Sequence, residues 1–222
     1  MDKTLENIAG RECELYFCGQ PQALLVQPVS QHQRDGMAEE LATIGDAGVP
    51  FALATVPIAD WELELMPWAE PAVSKRPEVG SGAEATLDYI SNGLVPWLTG
   101  RCGALPVVLG GYSLGGLFAL WAARRTPLFH AVAAASPSLW AGDWPAYAER
   151  HPLQARKAYL SLGDREERTR NQAMARSGDR VRDEYARLQA ELGAEATTLV
   201  WEQGGHFANP AARMGRAFAW CL

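Results

Sequence analysis

The sequence predicts an α/β architecture, a mostly parallel sheet with helices on both faces. Three observations carry this expectation. Short apolar runs alternate with segments of helical spacing along nearly the whole chain, the order that produces parallel strands joined by crossover helices. Residues 51–56 and 129–135 are apolar almost throughout, as strands buried on both faces must be. In mid-chain, an apolar run ends at a glycine-flanked serine, Gly111-Tyr112-Ser113-Leu114-Gly115, and a second apolar run at helical spacing follows at once.

Residues 11–18 partly alternate and predict an edge strand, which Gly19-Gln20-Pro21 turns away. Residues 23–29 form the first core-like strand. A polar loop over 30–35 leads to a helix with Met37, Leu41 and Ile44 at i, i+4 and i+7, ended by Gly45 and Gly48. The strand at 51–56 comes next. Residues 57–82 are irregular, because Pro57, Pro67, Pro71 and Pro77 exclude a long helix. Residues 84–98 are amphipathic, with Ala83, Leu87, Ile90, Leu94 and Trp97 on one stripe. The serine-bearing strand and its helix follow Gly103. Beyond the strand at 129–135 lies a second aromatic loop with Trp140, Trp144 and Tyr147. A strand at 157–162, a helix bearing Val181, Tyr185, Leu188 and Leu192, and a last strand at 197–202 complete the alternation. Asn209-Pro210 opens a closing helix with Met214, Phe218 and Cys221 on its apolar face. No repeat or linker interrupts this order, so one domain over 1–222 is expected.

Composition narrows the partners. A chain of 222 residues with 48% hydrophobic and 21% charged residues can bury a large core. Its net charge of −6, with basic residues interleaved among acidic ones, argues against nucleic-acid or membrane partners. It has no apolar run of about 18 residues, the least that marks a membrane-crossing helix, and its first residues are too polar for a signal peptide. A cytoplasmic location is therefore expected, with the four scattered cysteines reduced. The four histidines lack zinc-site spacing, so no metal site is expected. A homo-oligomer is compatible with these features; the oligomeric state stays open.

In an open parallel sheet, ligands bind beyond the carboxyl ends of the strands. Here three such ends carry Ser113, the acidic cluster Asp164, Glu166 and Glu167, and His206. Serine, acid, histidine is the chain order of α/β-hydrolase triads, and the strand–turn–helix setting of Ser113 is that of a nucleophile elbow. A serine hydroxyl is a weak nucleophile near neutral pH and needs a base such as imidazole within hydrogen-bond reach. The acid fixes the imidazole's tautomer. Glu166 is favoured for that role because three residues beyond Gly163 let the chain turn back over the sheet edge, with Asp164 the alternative.

Acyl transfer also needs oxyanion donors. The backbone N–H of Leu114 is one candidate, and the segment at Val29 and Ser30 is expected to supply a second. Trp61, Trp68, Trp140 and Trp144 lie in the two irregular loops, so an aromatic pocket for a small-molecule ester is expected, with Trp68, Trp140, Trp144 and Tyr112 as candidate substrate contacts. His32, beside the oxyanion segment, is a further candidate contact. His130 is expected to be a core residue and His151 a surface one.

Four blocks together carry a resemblance: Gly110 to Leu117, Ala135 to Trp140, Ser161 to Glu167, and Gly204 to Phe207. They resemble the putative esterase family of α/β-hydrolases, which includes esterase D (S-formylglutathione hydrolase) and siderophore esterases. The resemblance implies an α/β-hydrolase fold and a cofactor-free serine carboxylesterase, with Ser113 and His206 in the catalytic roles. Family members often carry a His-Gly-Gly oxyanion loop, where this chain has Pro28-Val29-Ser30-Gln31-His32. The short length implies minimal or no lid and small or open-site substrates. An acyltransferase or thioesterase using the same machinery, or a catalytically silent binding protein, stands as the alternative.

Overall fold

The computed structural model describes residues 1–70, 73–76 and 78–222. Eight strands form one sheet in the order β1-β2-β4-β3-β5-β6-β7-β8. They span Asp2–Ile8 (β1), Arg11–Cys18 (β2), Ala23–Val29 (β3), Phe51–Pro57 (β4), Val107–Tyr112 (β5), Ala131–Ala135 (β6), Lys157–Gly163 (β7) and Thr197–Glu202 (β8). β1 and β2 run antiparallel to their neighbours, and β4 through β8 along the sheet are parallel. β1 is an addition to the sequence reading. Its side chains are mostly polar and exposed, with only Ile8 buried, so it carries little of the pattern that marks a strand. A two-residue turn joins it to β2, with positive φ at both Ala9 and Gly10, the geometry that fits the twist of a tight hairpin.

Helices cover both faces. Met37–Gly45 (α2) and Pro210–Cys221 (α9) pack on one, burying Met37, Leu41 and Ile44 with Met214, Ala217 and Phe218. The other face carries Ala83–Asp88 (α4), Val95–Cys102 (α5), Leu114–Ala122 (α6), Trp144–Arg150 (α7) and Ser177–Leu192 (α8). A π turn, Tyr89–Leu94, joins α4 to α5. Pro96 stands just beyond it, and the wider turn absorbs the amide that proline cannot donate.

Three loops of the sequence reading contain helix. Ser30 caps a single turn, Gln31–Arg34 (α1), in a reciprocal capping box with Gln33. In the proline-rich region, Trp61–Leu65 (α3) is capped by Asp60 and ends just before Pro67. Pro71 and Pro77 lie outside the described residues. The aromatic loop contains α7, which begins at Trp144 with Pro145 in the first turn, where its missing N–H loses nothing. Asn209, the N-cap of α9, has left-handed backbone and makes no side-chain cap bond. Among the described residues, no helix is long and apolar enough to cross a membrane.

Candidate active site

The carboxyl ends of β5, β6, β7 and β8 converge on one place. β5 delivers Ser113 through the glycines around it. A Cβ at Gly111 would overlap the Gly115 backbone, and one at Gly110 would overlap the ring of Phe218 on α9. Strand and helices can therefore close on the turn only because these side chains are absent. Ser113 itself takes φ +59° and ψ −119°, a left-handed conformation rare for a side-chain-bearing residue. It starts α6, and its carbonyl accepts the Gly116 and Leu117 N–H groups.

The Ser113 Oγ lies 3.0 Å from His206 Nε2, and His206 Nδ1 lies 2.7 Å from Glu166 Oε2. A carboxylate can only accept, so Nδ1 carries the proton and Nε2 is left to accept the Ser113 hydroxyl. Glu166 is buried. Burial opposes its charge, but hydrogen bonds from His206, the Gly163 N–H and Ser136 hold its carboxyl below the ordinary glutamate value. Three donors crowd its other oxygen: the Gly163 N–H at 2.7 Å, Ser136 Oγ at 2.8 Å and Arg213 Nη1 at 2.8 Å.

Asp164 is aimed elsewhere, accepting the Gly204 N–H at 2.8 Å, and Glu167 pairs with Arg182. Ser138, from the Ser-Pro-Ser turn after β6, places its Oγ 3.2 Å from that of Ser113. Sequence reasoning passed over Ser136, Ser138 and Arg213 as individual site residues. The two serines stand inside a block that carried the family resemblance. Arg213 had a fainter signal, a charged residue at i, i+4 from Ala217 on an otherwise apolar stripe.

The candidate oxyanion donors fare differently. Leu114 opens α6, where first-turn N–H groups have no helical acceptor and the dipole favours negative charge. The Ser30 N–H donates to Gln33 Oε1 at 2.9 Å, so the α1 capping box already holds it. Val29 ends β3, and its carbonyl accepts the Ile58 N–H.

A family model for putative esterases matches residues 28–206. The chain belongs to this esterase family. It is accordingly an esterase-type hydrolase. No curated protein sequence matches it. Among solved structures, it resembles the siderophore hydrolase EstA from Aspergillus nidulans, at 19% identity and a TM-score of 0.77, over 99% of this chain and 93% of that one. An IroE-like serine hydrolase from Shewanella oneidensis is 17% identical with a TM-score of 0.78, over 99% and 79% of the two chains. The enterobactin esterase FES from Shigella flexneri is 17% identical with a TM-score of 0.67; 98% of this chain covers 58% of that protein. These likenesses establish the α/β-hydrolase fold.

In the esterase, Ser113, Leu114, Ser138 and His206 open into a cavity of about 510 Å³. Trp61, Val73, Trp140, Met174 and Phe207 give it an apolar wall, and His32 and Tyr112 also line it. The tryptophans divide. Trp61 and Trp140 face the cavity, whereas Trp144, the first residue of α7, is buried with its indole N–H on Glu184, 2.8 Å away. Trp68 packs against Trp144 and Tyr147 and is not part of the cavity wall. A large aromatic in a loop serves the core as readily as a site, which is why sequence alone assigned both outward. Phe207 is 89% exposed beside His206, an apolar ring at the cavity mouth. His130 precedes β6 and is half-buried, and His151 stacks on Tyr147.

Proposed function

We propose that the protein hydrolyses a carboxylic ester through an acyl-enzyme formed on Ser113. The observation that carries this reading is the unbroken line from Ser113 Oγ to His206 Nε2 at 3.0 Å and from His206 Nδ1 to Glu166 Oε2 at 2.7 Å. His206 takes the Ser113 proton as Oγ attacks the ester carbonyl. The Leu114 N–H stabilises the developing oxyanion. His206 then gives its proton to the leaving alkoxide, and the alcohol departs. In the second half, His206 takes a proton from water as the resulting hydroxide attacks the acyl carbon. The Ser113–acyl bond then breaks as His206 returns that proton to Ser113 Oγ, releasing the acid and restoring the serine and the neutral imidazole. Throughout, Glu166 stays ionised and stabilises the imidazolium.

The apolar wall formed by Trp61, Trp140 and Phe207 favours an ester with a hydrophobic or aromatic part. Siderophore esters are natural candidates to assay, because two of the similar structures are named as siderophore hydrolase and enterobactin esterase.

The test is hydrolysis of p-nitrophenyl esters of increasing chain length by the parent protein, Ser113→Ala and His206→Ala. Acid quench during turnover should trap a mass increase equal to the acyl group in the parent and none in Ser113→Ala. Parent-level hydrolysis by Ser113→Ala would overturn the reading.

A further inference from the structure

We propose that Arg213 is a positioning residue for the reaction, a single buried guanidinium that fixes both the catalytic acid and the loop carrying the catalytic base. The inference rests on the Ser113–His206–Glu166 reading above.

α9 buries Met214, Ala217, Phe218 and Cys221, and Arg213 sits on the same face with 1% of its surface exposed. A charge in that place requires a partner for each of its N–H groups. Both terminal nitrogens of Arg213, Nη1 and Nη2, find them on four successive strand ends. Its Nη1 donates to Glu166 Oε1 at 2.8 Å beyond β7, to Ser136 Oγ at 3.0 Å beyond β6, and to the Tyr112 hydroxyl oxygen at 3.2 Å on β5. Its Nη2 donates to the carbonyls of Gln203 at 3.2 Å and Gly205 at 3.1 Å beyond β8. Room for this arrangement depends on Gly163, where a Cβ would come within 2.9 Å of both Arg213 Nη2 and Glu166 Oε1.

Two consequences follow for His206. The first is geometric. Arg213, Ser136 and the Gly163 N–H all hold Glu166 Oε1, which leaves Oε2 turned to the imidazole. The same guanidinium grips the carbonyls of Gln203 and Gly205, just ahead of His206, so acid and base are aligned through one rigid planar fork. The second is electrostatic. Arg213 offsets part of the Glu166 charge and so limits how strongly that carboxylate favours the imidazolium over the neutral base. The charged and titratable groups facing Glu166 are His206 from the β8–α9 loop, Arg213 from α9 and Tyr112 from β5. Glu40, on α2 against α9, is the other buried carboxyl on that helix layer. A buried ion pair is weak evidence of stability alone, and alignment supplies the reason to keep one here.

The test compares kcat and kcat/KM against pH for the parent, Arg213→Met, Arg213→Lys, Glu166→Gln and the double variants, with thermal melts run alongside. Arg213→Met should lower kcat while KM stays near the parent value, and should move the acid limb of kcat/KM up by about one pH unit or more, because an opposing charge has left the acid. Arg213→Lys should keep the limb in place with a lower kcat, since an ammonium keeps the charge and loses the fork. In the Glu166→Gln background, either Arg213 change should have far less effect on kcat than in the parent. An unmoved acid limb in Arg213→Met, or losses that add fully to that of Glu166→Gln, would overturn the proposal and leave Arg213 a structural residue. Should the Met variant not fold, the Lys variant decides through additivity alone: a kcat loss that adds fully to that of Glu166→Gln overturns the proposal. Activity retained by both Ser113→Ala and His206→Ala would instead bring down the underlying triad reading.

Discussion

The Tyr112 hydroxyl donates to the backbone carbonyl of His206 across 2.5 Å. The residue before the candidate nucleophile thus holds the main chain of the candidate base, and Arg213 donates to the same phenol oxygen. Strand β5 and the β8–α9 loop, 94 residues apart in sequence, are tied at the point where Ser113 and His206 must meet.

Tyr112→Phe should therefore lower kcat by about tenfold, the loss of one buried hydrogen bond worth about 1.4 kcal/mol of alignment. KM should change little. Steady-state kinetics on a p-nitrophenyl ester checks this, and an unchanged kcat would show that the loop holds His206 without the phenol.

Exchanging the two neighbouring acids separates their roles. Glu166→Gln keeps the shape but can present its NH₂ to His206 and favour the wrong tautomer, so kcat should fall by about 10³ to 10⁴. Asp164→Asn keeps an oxygen able to accept the Gly204 N–H and should retain most of the activity. The reverse ranking would make Asp164 the functional acid.

How much of this arrangement was legible in the sequence depends on what each residue answers to. The alternation of strands and helices answers to burial, which leaves periodic traces, so the central parallel strands were readable. β1 was not, because its alternating residues Asp2 to Asn7 lie at the sheet edge and bury almost nothing. Ser113 and His206 stand in short glycine-rich turns with recognisable neighbours. Glu166 was separable from Asp164 only through chain reach beyond Gly163. Arg213 answers to Glu166, Ser136 and Tyr112, 47 to 101 residues away in sequence, which no local pattern encodes. Trp68 and Trp144 show the opposite failure: residues of stretches read as loops, their aromatic bulk was taken for a substrate wall and packs on the core.

Ser113 also stores strain. At φ +59° an alanine is as strained as the serine, whereas glycine is not. Both Ser113→Ala and Ser113→Gly should be inactive, and the glycine variant should be the more stable by about 1 kcal/mol, a Tm difference of about 2–4 °C. Calorimetry at one pH decides this; equal melting temperatures would mean that the turn relaxes without its serine.

Away from the reacting groups, Glu40 is fully buried against Gln27, and burial pushes its carboxyl up to about 8. The folded protein therefore holds a proton there that the unfolded chain releases near the ordinary carboxylate value. Its contribution to stability is complete below about pH 4.5 and is lost progressively as pH rises to about 8. Glu40→Gln should remove this dependence and raise Tm at pH 8 by several degrees relative to the parent, with a smaller gain at pH 5. A gain independent of pH would contradict the assignment.

The central claim is that Ser113 is a nucleophile activated by His206. Labelling the folded protein with a fluorophosphonate, followed by peptide mass spectrometry, tests it most directly. The account predicts one adduct, on the peptide bearing Ser113, formed far more slowly in His206→Ala. A folded protein that takes no adduct at Ser113, or takes it at the same rate without His206, would contradict it.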